Sequence, residues 1–190
     1  IIYKCLTDEV YLSSVVDTLQ PQYFRNSDIK ALINLTVDYF NRRNKAPTLT
    51  ELKAYLTSDA LKSVGKQIEN SSVLILGVSY KPDVKDIQIT PAEPIITKLR
   101  EKNAKIKIYD PYFKSSSVFD IKTEENLAGA LSNIDAAVLI TGHDEFRHVD
   151  PTFFASKSRP LVFVDTRGII DMRVAKKAGL IIRGIGRGGS

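Results

Sequence analysis

Polar and aromatic side chains follow several apolar segments that have the composition of buried strands. Tyr80 and Lys81 follow the segment Val73–Leu76, and Arg167 follows a later segment of the same kind. The carboxyl ends of parallel strands meet at one edge of a sheet, where open α/β folds bind their ligands. An arginine can bind phosphate through two hydrogen bonds, a lysine adds a mobile positive charge, and a tyrosine can stack on a base or ribose. The pattern predicts a nucleotide-type site, and the alternative is a set of ordinary solvated turns.

Other motifs that would indicate a different chemistry are missing from the sequence. No G-x-G-x-x-G follows Val73–Leu76, because Gly77 stands alone. The glycine-rich stretch at residues 184–189 has no helix after it to hold a pyrophosphate. The sequence has no Walker-type loop, no cysteine pair and no histidine cluster for zinc. We therefore expect neither a primary dinucleotide cradle nor a metal site.

The remaining reactive side chains favour structural or solvated roles. His143 and His148 lie on a predicted loop, where solvated or structural histidines are favoured over metal ligands. Three aspartates of the predicted turns are favoured as solvated residues over a working carboxylate set: Asp83, Asp86 and Asp144. Cys5 has no neighbouring base in the sequence, so a buried apolar role is favoured over a nucleophile.

Strands and helices alternate in the second part of the chain. The strands are predicted at Val73–Leu76, Lys105–Tyr109, Ala136–Ile140, Leu161–Val164 and Leu180–Ile182. The helices are predicted at Pro91–Lys102, Glu124–Asn133, Pro151–Ala155 and Asp171–Ala178, and Thr90 caps the first of them. This alternation indicates an α/β fold with a doubly wound parallel, Rossmann-like sheet.

The first part of the chain has helical spacing throughout. One amphipathic segment carries Leu6, Val10, Val15 and Leu19, and a second runs from Asn26 or Ser27 through Ile29, Leu32, Ile33, Val37 and Phe40. Thr48 and Glu51 form a capping box for a third helix with Leu52, Tyr55 and Leu56, and a fourth follows Leu61, Val64 and Ile68. We predict an all-α interaction domain at residues 1–69, a Rossmann-like domain at 70–186 and a flexible tail at 187–190.

Composition limits the class of protein and its partners. The sequence is 43% hydrophobic and 26% charged, and its net charge of +5 is spread among apolar residues. A mixed solvated surface is favoured over a nucleic-acid stripe, although a basic pocket for a phosphorylated small molecule is compatible. No apolar run approaches the roughly 20 residues of a membrane helix. The single cysteine fits a reducing compartment, so we expect a cytoplasmic protein. The start at Ile1 predicts a fragment of a longer chain.

Five motifs in one order suggest a family. They are Leu76–Ile87 with Thr90-Pro91-Ala92, Ile106–Tyr112, Ala137–Phe146, Val164–Arg167 and Ile185-Gly186-Arg187. Residues 70–188 thereby resemble the carboxy-terminal domain of the UDP-glucose/GDP-mannose dehydrogenase family. They look closest to its UDP-N-acetylmannosamine or UDP-N-acetylglucosamine branch.

The resemblance implies an enzyme that oxidises the C6 hydroxyl of a nucleotide sugar to a carboxylate with NAD+. It implies that Tyr80 and Lys81 hold the UDP-sugar and that Arg167 reaches the substrate. Gln88 stands where the family carries an NAD-contacting arginine. The family's catalytic cysteine and NAD fingerprint have no counterpart here, and Cys5 does not stand in that motif. We expect a homo-oligomer that binds a UDP-sugar, binds NAD weakly at best and is inactive alone.

The first part of the chain suggests a second family. Leu6–Leu12, Leu19–Phe24, Val37–Asn41 and Pro47–Leu52 resemble the amino-terminal domain of phage-type DnaB-like replicative helicases. That domain is helical and serves ring assembly and primase contact. The resemblance implies a hybrid chain, and an alternative function as a non-enzymatic protein that oligomerises or docks on a replication protein through residues 1–57. A third possibility is an α/β scaffold with an unused strand edge.

Overall fold

The computed structural model describes residues 9–19, 22, 27–43, 45–48, 50–54, 57, 67–157 and 162–184. The strands are β1 (Ser72–Leu76), β2 (Lys105–Tyr109), β3 (Ser117–Val118), β4 (Ile121–Lys122), β5 (Ala136–Leu139), β6 (Val162–Asp165) and β7 (Ile181–Gly184). The helices are α1 (Glu9–Val15), α2 (Ser27–Arg43), α3 (Ala92–Arg100), α4 (Leu127–Ala130), α5 (Asp144–Arg147), α6 (Pro151–Lys157) and α7 (Met172–Lys177). Residues 50–54 are also helical.

The central element is a five-stranded parallel sheet with the strand order β2-β1-β5-β6-β7. The chain runs outward from β1 to β2 and then returns to the other side of β1, so the order reverses between β1 and β5. Ligands of open α/β sheets bind outside the carboxyl ends of the strands at such a switch point. The predicted fold class is therefore confirmed.

The sheet is covered on both faces, which explains its unbroken apolar strands. Val73 and Ile75 of β1 belong to one buried cluster, whereas Leu74 and Leu76 belong to the other. Successive strand residues point to opposite faces, so a strand buried on both sides needs an apolar residue at every position. Ala54 of the helical first part packs in the same cluster as Val73 and Ile75.

The predicted elements of the second part are present, with shifts at their ends. Thr90 accepts a hydrogen bond from the Ala92 N–H, as predicted, although α3 begins one residue later than predicted. Helix α4 is much shorter than the predicted Glu124–Asn133, because the Asn126 side chain caps it by accepting from the Gly129 N–H. The prediction missed α5 and the β3–β4 hairpin, whose turn has positive φ angles at non-glycine residues.

The described helices of the first part pack as an apolar cluster that includes Leu12, Ile33 and Phe40. The prediction that Val10 lies on the apolar face is wrong, since 81% of its surface is exposed. Leu12 takes that place because Val15, Val16 and Leu19 follow it at helical spacing. Several predicted features lie outside the described residues, namely Tyr55, Leu56, most of the predicted fourth helix, Cys5 and the tail. In the described part of the chain, no helix is long and apolar enough to cross a membrane.

The predicted capping box is confirmed and forms part of a larger network. The Thr48 N–H donates to Glu51 Oε2 at 2.8 Å, and the Glu51 N–H donates to Thr48 Oγ1 at 3.2 Å. Tyr39 and Lys45 also donate to the Glu51 carboxylate. Burial alone raises the pKa of Glu51, but these donors outweigh it and lower the pKa to about 2.

Glu51 makes the stability of the helical part depend on acid pH. Its pKa is below the ordinary value of 4.5, so its contribution is present above pH 4.5 and is lost as the pH falls towards 2. Since one pKa unit corresponds to about 1.4 kcal/mol, we expect Glu51→Gln to lower the free energy of unfolding at pH 6 by up to about 3 kcal/mol. Urea unfolding at several pH values measures the difference, which should shrink towards pH 2. The exposed Glu125→Gln serves as control, and equal acid profiles for the two variants would contradict the assignment.

Gly77 marks a close approach between the ends of β1 and β5. Its φ is +80°, and a Cβ added there would lie 2.6 Å from both the Cβ and the carbonyl oxygen of Thr141. Gly179 also has a positive φ, +92°, but a Cβ there would meet no atom within 4 Å. Substitutions at Gly77 and Gly179 therefore distinguish the cost of backbone strain from the cost of steric overlap.

We expect Gly179→Ala to cost about 1 kcal/mol of stability through backbone strain alone. Gly77→Ala should cost at least about 2 kcal/mol more, because the backbone of Thr141 must move. Urea unfolding of the two variants measures the costs, and equal losses would show that the approach to Thr141 is not close.

Candidate functional site

Tyr80 and Lys81 lie at the carboxyl end of β1, as predicted, and both are exposed to solvent. The Lys81 ammonium lies 5.1 Å from the centre of the Tyr80 ring. The neighbouring Tyr80 raises the pKa of Lys81, so this side chain is a full positive charge at neutral pH. An exposed ring and an adjacent cation at a switch point can contact a base or sugar and a phosphate.

The loop that carries these two residues folds back on itself. The Tyr80 N–H donates to the Asp86 carbonyl oxygen at 2.9 Å, and the Asp86 side chain accepts from the Gln88 N–H at 2.8 Å. Gln88 is exposed, and the next residue, Ile89, is 99% exposed with a φ of +54°. The loop thus presents Tyr80, Lys81 and Gln88 to solvent on one connection.

A buried carboxylate, Asp110, organises this edge from the end of β2. Its Oδ2 accepts hydrogen bonds from the Val78 N–H at 2.8 Å and from both the N–H and the hydroxyl of Ser79. His143 contacts the same oxygen at 2.9 Å, and the Tyr112 N–H donates to Oδ1. Burial raises the pKa of Asp110, but His143 and the backbone donors lower it below its ordinary value. Asp110 is therefore an anion that ties the loop after β1 to the ends of β2 and β5.

His143 is fully buried, whereas His148 is exposed, with 76% of its side chain in solvent. The Asp83 N–H donates to His143 Nδ1 at 2.9 Å, so Nδ1 is unprotonated and Nε2 carries the hydrogen towards Asp110. Asp83 Oδ1 accepts from the Asp144 backbone N–H at 2.9 Å. Within the described residues, no three histidine, cysteine or carboxylate side chains are placed to hold a metal ion.

A second buried carboxylate, Asp165, shapes the turn that carries Arg167 at the end of β6. Its Oδ1 accepts from the N–H groups of Arg167 at 2.8 Å and Gly168 at 2.7 Å, and its Oδ2 accepts from the Ile170 N–H. Asp165 is 1% exposed, whereas the Arg167 side chain is exposed. The turn therefore holds Arg167 outward at the same edge as Lys81, with β5 between their strands.

Lys53 of the helical first part adds positive charge near Arg167. Lys53 is 6% exposed, and burial lowers its pKa, which the positive charge of Arg167 lowers further. Two neighbouring cations repel each other, and an anion bound beside them would relieve that repulsion. Nothing in the sequence indicates this proximity, because Lys53 lies in a different part of the chain.

The described residues do not fit a pyrophosphate cradle of the dinucleotide type. Such a cradle needs a short glycine turn and free N–H groups at the start of a helix. Here the space beside Gly77 is filled by Thr141, a long loop separates β1 from α3, and Pro91 lacks an N–H where α3 begins. NAD binding by the β1–α3 connection is therefore not supported by this geometry.

Sequence reasoning found the exposed residues of the edge but missed the groups that hold them. Asp110 and Asp165 stand at the ends of buried strands, but nothing in the local sequence indicates their burial or their hydrogen bonds. His143 was treated as a loop histidine, and its pairing with Asp110 was missed. The available signal was that Asp110 directly follows β2 and that His143 comes shortly after the end of β5, and both strands neighbour β1.

Comparison with known proteins decides the family. Residues 74–172, more than half of the chain, match the UDP binding domain of the UDP-glucose/GDP-mannose dehydrogenase family. The chain belongs to this family. The UDP-N-acetyl-D-mannosamine dehydrogenase of Methanococcus vannielii is 32% identical over 64% of this chain and 28% of its own length. The UDP-glucose 6-dehydrogenase of Bacillus subtilis is 26% identical over 68% of this chain and 29% of its own length. The chain thus spans less than a third of the length of these two relatives.

Solved structures show the same fold. The NDP-N-acetyl-D-galactosaminuronic acid dehydrogenase of Methanosarcina mazei aligns with 97% of this chain and 38% of its own, with a TM-score of 0.68 and 24% identity. The UDP-D-ManNAc dehydrogenase of Pyrococcus horikoshii aligns with 98% of this chain and 50% of its own, with a TM-score of 0.63 and 21% identity. Both alignments include the helical first part, and the relatives named here lend no support to the helicase resemblance, which stays a prediction.

The turn after β6 offers a test of how Arg167 is positioned. The variant Asp165→Asn replaces one carboxylate oxygen by an amide NH2 group. This group cannot accept hydrogen bonds, so it cannot pair with the backbone N–H groups that it faces. We expect a loss of about 2–3 kcal/mol in the free energy of unfolding, since a buried donor is left unsatisfied. Urea unfolding measures the loss. The matched control is Asp120→Asn, because Asp120 is exposed and its positive φ is also tolerated by asparagine. A similar loss of stability in this control would contradict the role of Asp165.

Proposed function

We propose that this chain is the UDP-sugar-binding part of an NAD-dependent nucleotide-sugar 6-dehydrogenase. One observation carries the proposal: within the segment that matches the UDP binding domain, Tyr80 and Lys81 are exposed at the carboxyl end of β1, beside the switch point of the sheet. Arg167 lies at the same edge, and the nearby charge of Lys53 adds to its attraction for an anion. The site combines one aromatic surface with several cations.

Different side chains are assigned to different parts of the ligand. In this proposal Tyr80 lies against the base or ribose, and Lys81 and Arg167 neutralise the diphosphate. Arg167 can bind two phosphate oxygens at once through its planar guanidinium, whereas Lys81 acts as a point charge. Gln88 lies farther along the loop, at the position where the family carries an NAD-contacting arginine, and we assign it at most a weak cofactor contact.

We further propose that this sequence does not transfer hydride by itself. Its only cysteine, Cys5, does not stand in the family's catalytic motif, and the β1–α3 connection does not fit a pyrophosphate cradle. NAD would supply the hydride acceptor, and the residues of this chain bind and orient the nucleotide end of the substrate. We keep the division at residues 69 and 70 and homo-oligomerisation as parts of the proposal.

Isothermal titration calorimetry with UDP tests the proposed site. We expect the wild-type protein to bind UDP, and Lys81→Ala and Arg167→Ala each to weaken binding by about 1–3 kcal/mol, because each removes a charge-assisted hydrogen bond to phosphate. The matched control is Lys105→Ala, an exposed lysine at the start of β2 on the opposite edge of the sheet.

The outcomes separate the site from its assigned residues. No binding of UDP by the folded wild-type protein at millimolar concentration would overturn the proposed function. Binding that is unchanged by Lys81→Ala and Arg167→Ala would keep the ligand but remove both residues from the site. A loss with Lys105→Ala of the same size as with Lys81→Ala would indicate non-specific attraction to a basic surface.

A further inference from the structure

We propose that His143 is a positioning residue for the nucleotide: together with Asp110 it fixes both ends of the Tyr80–Pro82 segment in the shape that binds UDP. This inference rests on the proposed function, because it concerns the same site. His143 acts through the backbone on either side of the proposed ligand residues.

The first end of the segment is held through Asp110. The N–H groups of Val78 and Ser79, directly before Tyr80, both donate to Asp110 Oδ2, and so does the Ser79 hydroxyl. His143 Nε2 donates to the same oxygen at 2.9 Å. His143 thus helps to fix the Asp110 carboxylate that anchors the residues before Tyr80.

The second end is held by the other nitrogen of the same ring. The Asp83 N–H, directly after Pro82, donates to His143 Nδ1 at 2.9 Å. Asp83 Oδ1 also accepts from the Asp144 N–H, so the backbone next to His143 reinforces the contact. The exposed residues Tyr80 and Lys81 therefore lie between two anchors that share one imidazole.

The surroundings of the ring leave it little freedom. Tyr112 lies against one side at 5.2 Å between ring centres, and Phe146 makes an edge contact at 5.7 Å. The ionisable groups that face His143 are Asp110, Asp83 and Tyr112. The ring is fully buried, so water cannot replace either of its hydrogen bonds without displacing these neighbours.

A loop that is already ordered binds more tightly, because the ligand does not have to order it on binding. His143 supplies one donor and one acceptor, and both are needed. A glutamine retains an amide donor and a carbonyl acceptor, whereas a leucine of comparable size retains neither. This contrast distinguishes positioning by hydrogen bonds from the filling of space.

The test compares His143→Leu, His143→Gln and the control His148→Gln, an exposed histidine in the same region. UDP is titrated into each folded protein, and amide hydrogen exchange is followed at Val78, Ser79 and Asp83. We expect His143→Leu to raise the Kd for UDP roughly tenfold or more and to speed exchange at these amides, because it leaves buried polar groups unsatisfied. His143→Gln should restore most of the affinity, and His148→Gln should match the wild type.

The outcomes for this inference differ from those for the proposed function. If the wild type binds UDP and His143→Leu binds it equally well, the positioning role is overturned while the UDP site stands. Equal losses in His143→Gln and His143→Leu would also overturn it, because they would indicate a need for the imidazole shape alone. If the wild type does not bind UDP, both proposals fall.

Two measurements on the wild type keep the inference testable even if His143→Leu does not fold. The amide of Asp83 should exchange slowly, and nitrogen NMR of the imidazole should show the neutral form with hydrogen on Nε2. Fast exchange at Asp83, or hydrogen on Nδ1, would overturn the inference.

Discussion

The buried carboxylate of Asp110 is the interaction on which the carboxyl edge of the sheet depends. It accepts hydrogen bonds from the loop after β1, from the backbone after β2 and from His143 after β5. Three strand ends that are distant in sequence are thereby joined at one oxygen pair. A buried carboxylate is costly unless each of its oxygens is paired, so the arrangement persists only while all of these donors are in place. The pKa of Asp110 is lowered for the same reason, because the hydrogen bonds outweigh the effect of burial.

Asp165 is a second buried carboxylate of this kind, at the end of β6. Both carboxylates lie at the carboxyl end of a strand, both are buried, and both accept several backbone N–H groups from a turn. In each case the buried carboxylate shapes a turn that presents an exposed cation, Lys81 or Arg167. The two exposed cations are thus carried by turns that buried carboxylates hold in shape.

The strand at Lys105–Tyr109 was predicted with its observed bounds, and the other strands of the sheet agree closely, because buried parallel strands are continuous apolar runs. Tyr80, Lys81 and Arg167 were also identifiable, since their order after the strands places them at one edge. The length of α4 was not, because the Asn126 side chain competes with a longer helix. Val10 was misplaced because Leu12, Val15 and Leu19 form the helical face that packs into the buried cluster, and Val10 lies off that face.

The parallel α/β architecture, the placement of Tyr80, Lys81 and Arg167 at one sheet edge and the family could all be predicted from the sequence, because they follow from apolar runs and from ordered motifs. Which polar residues are buried, and which groups they contact, became clear from the three-dimensional fold alone. Asp110 and His143 are separated by the α4 and β5 region of the chain, yet they meet at 2.9 Å because β1 places β2 and β5 on its two sides. This contact depends on the order of the strands, which the local sequence does not encode. Because His143 is buried, its two ring nitrogens hold Asp110 and the backbone of Asp83 in fixed positions.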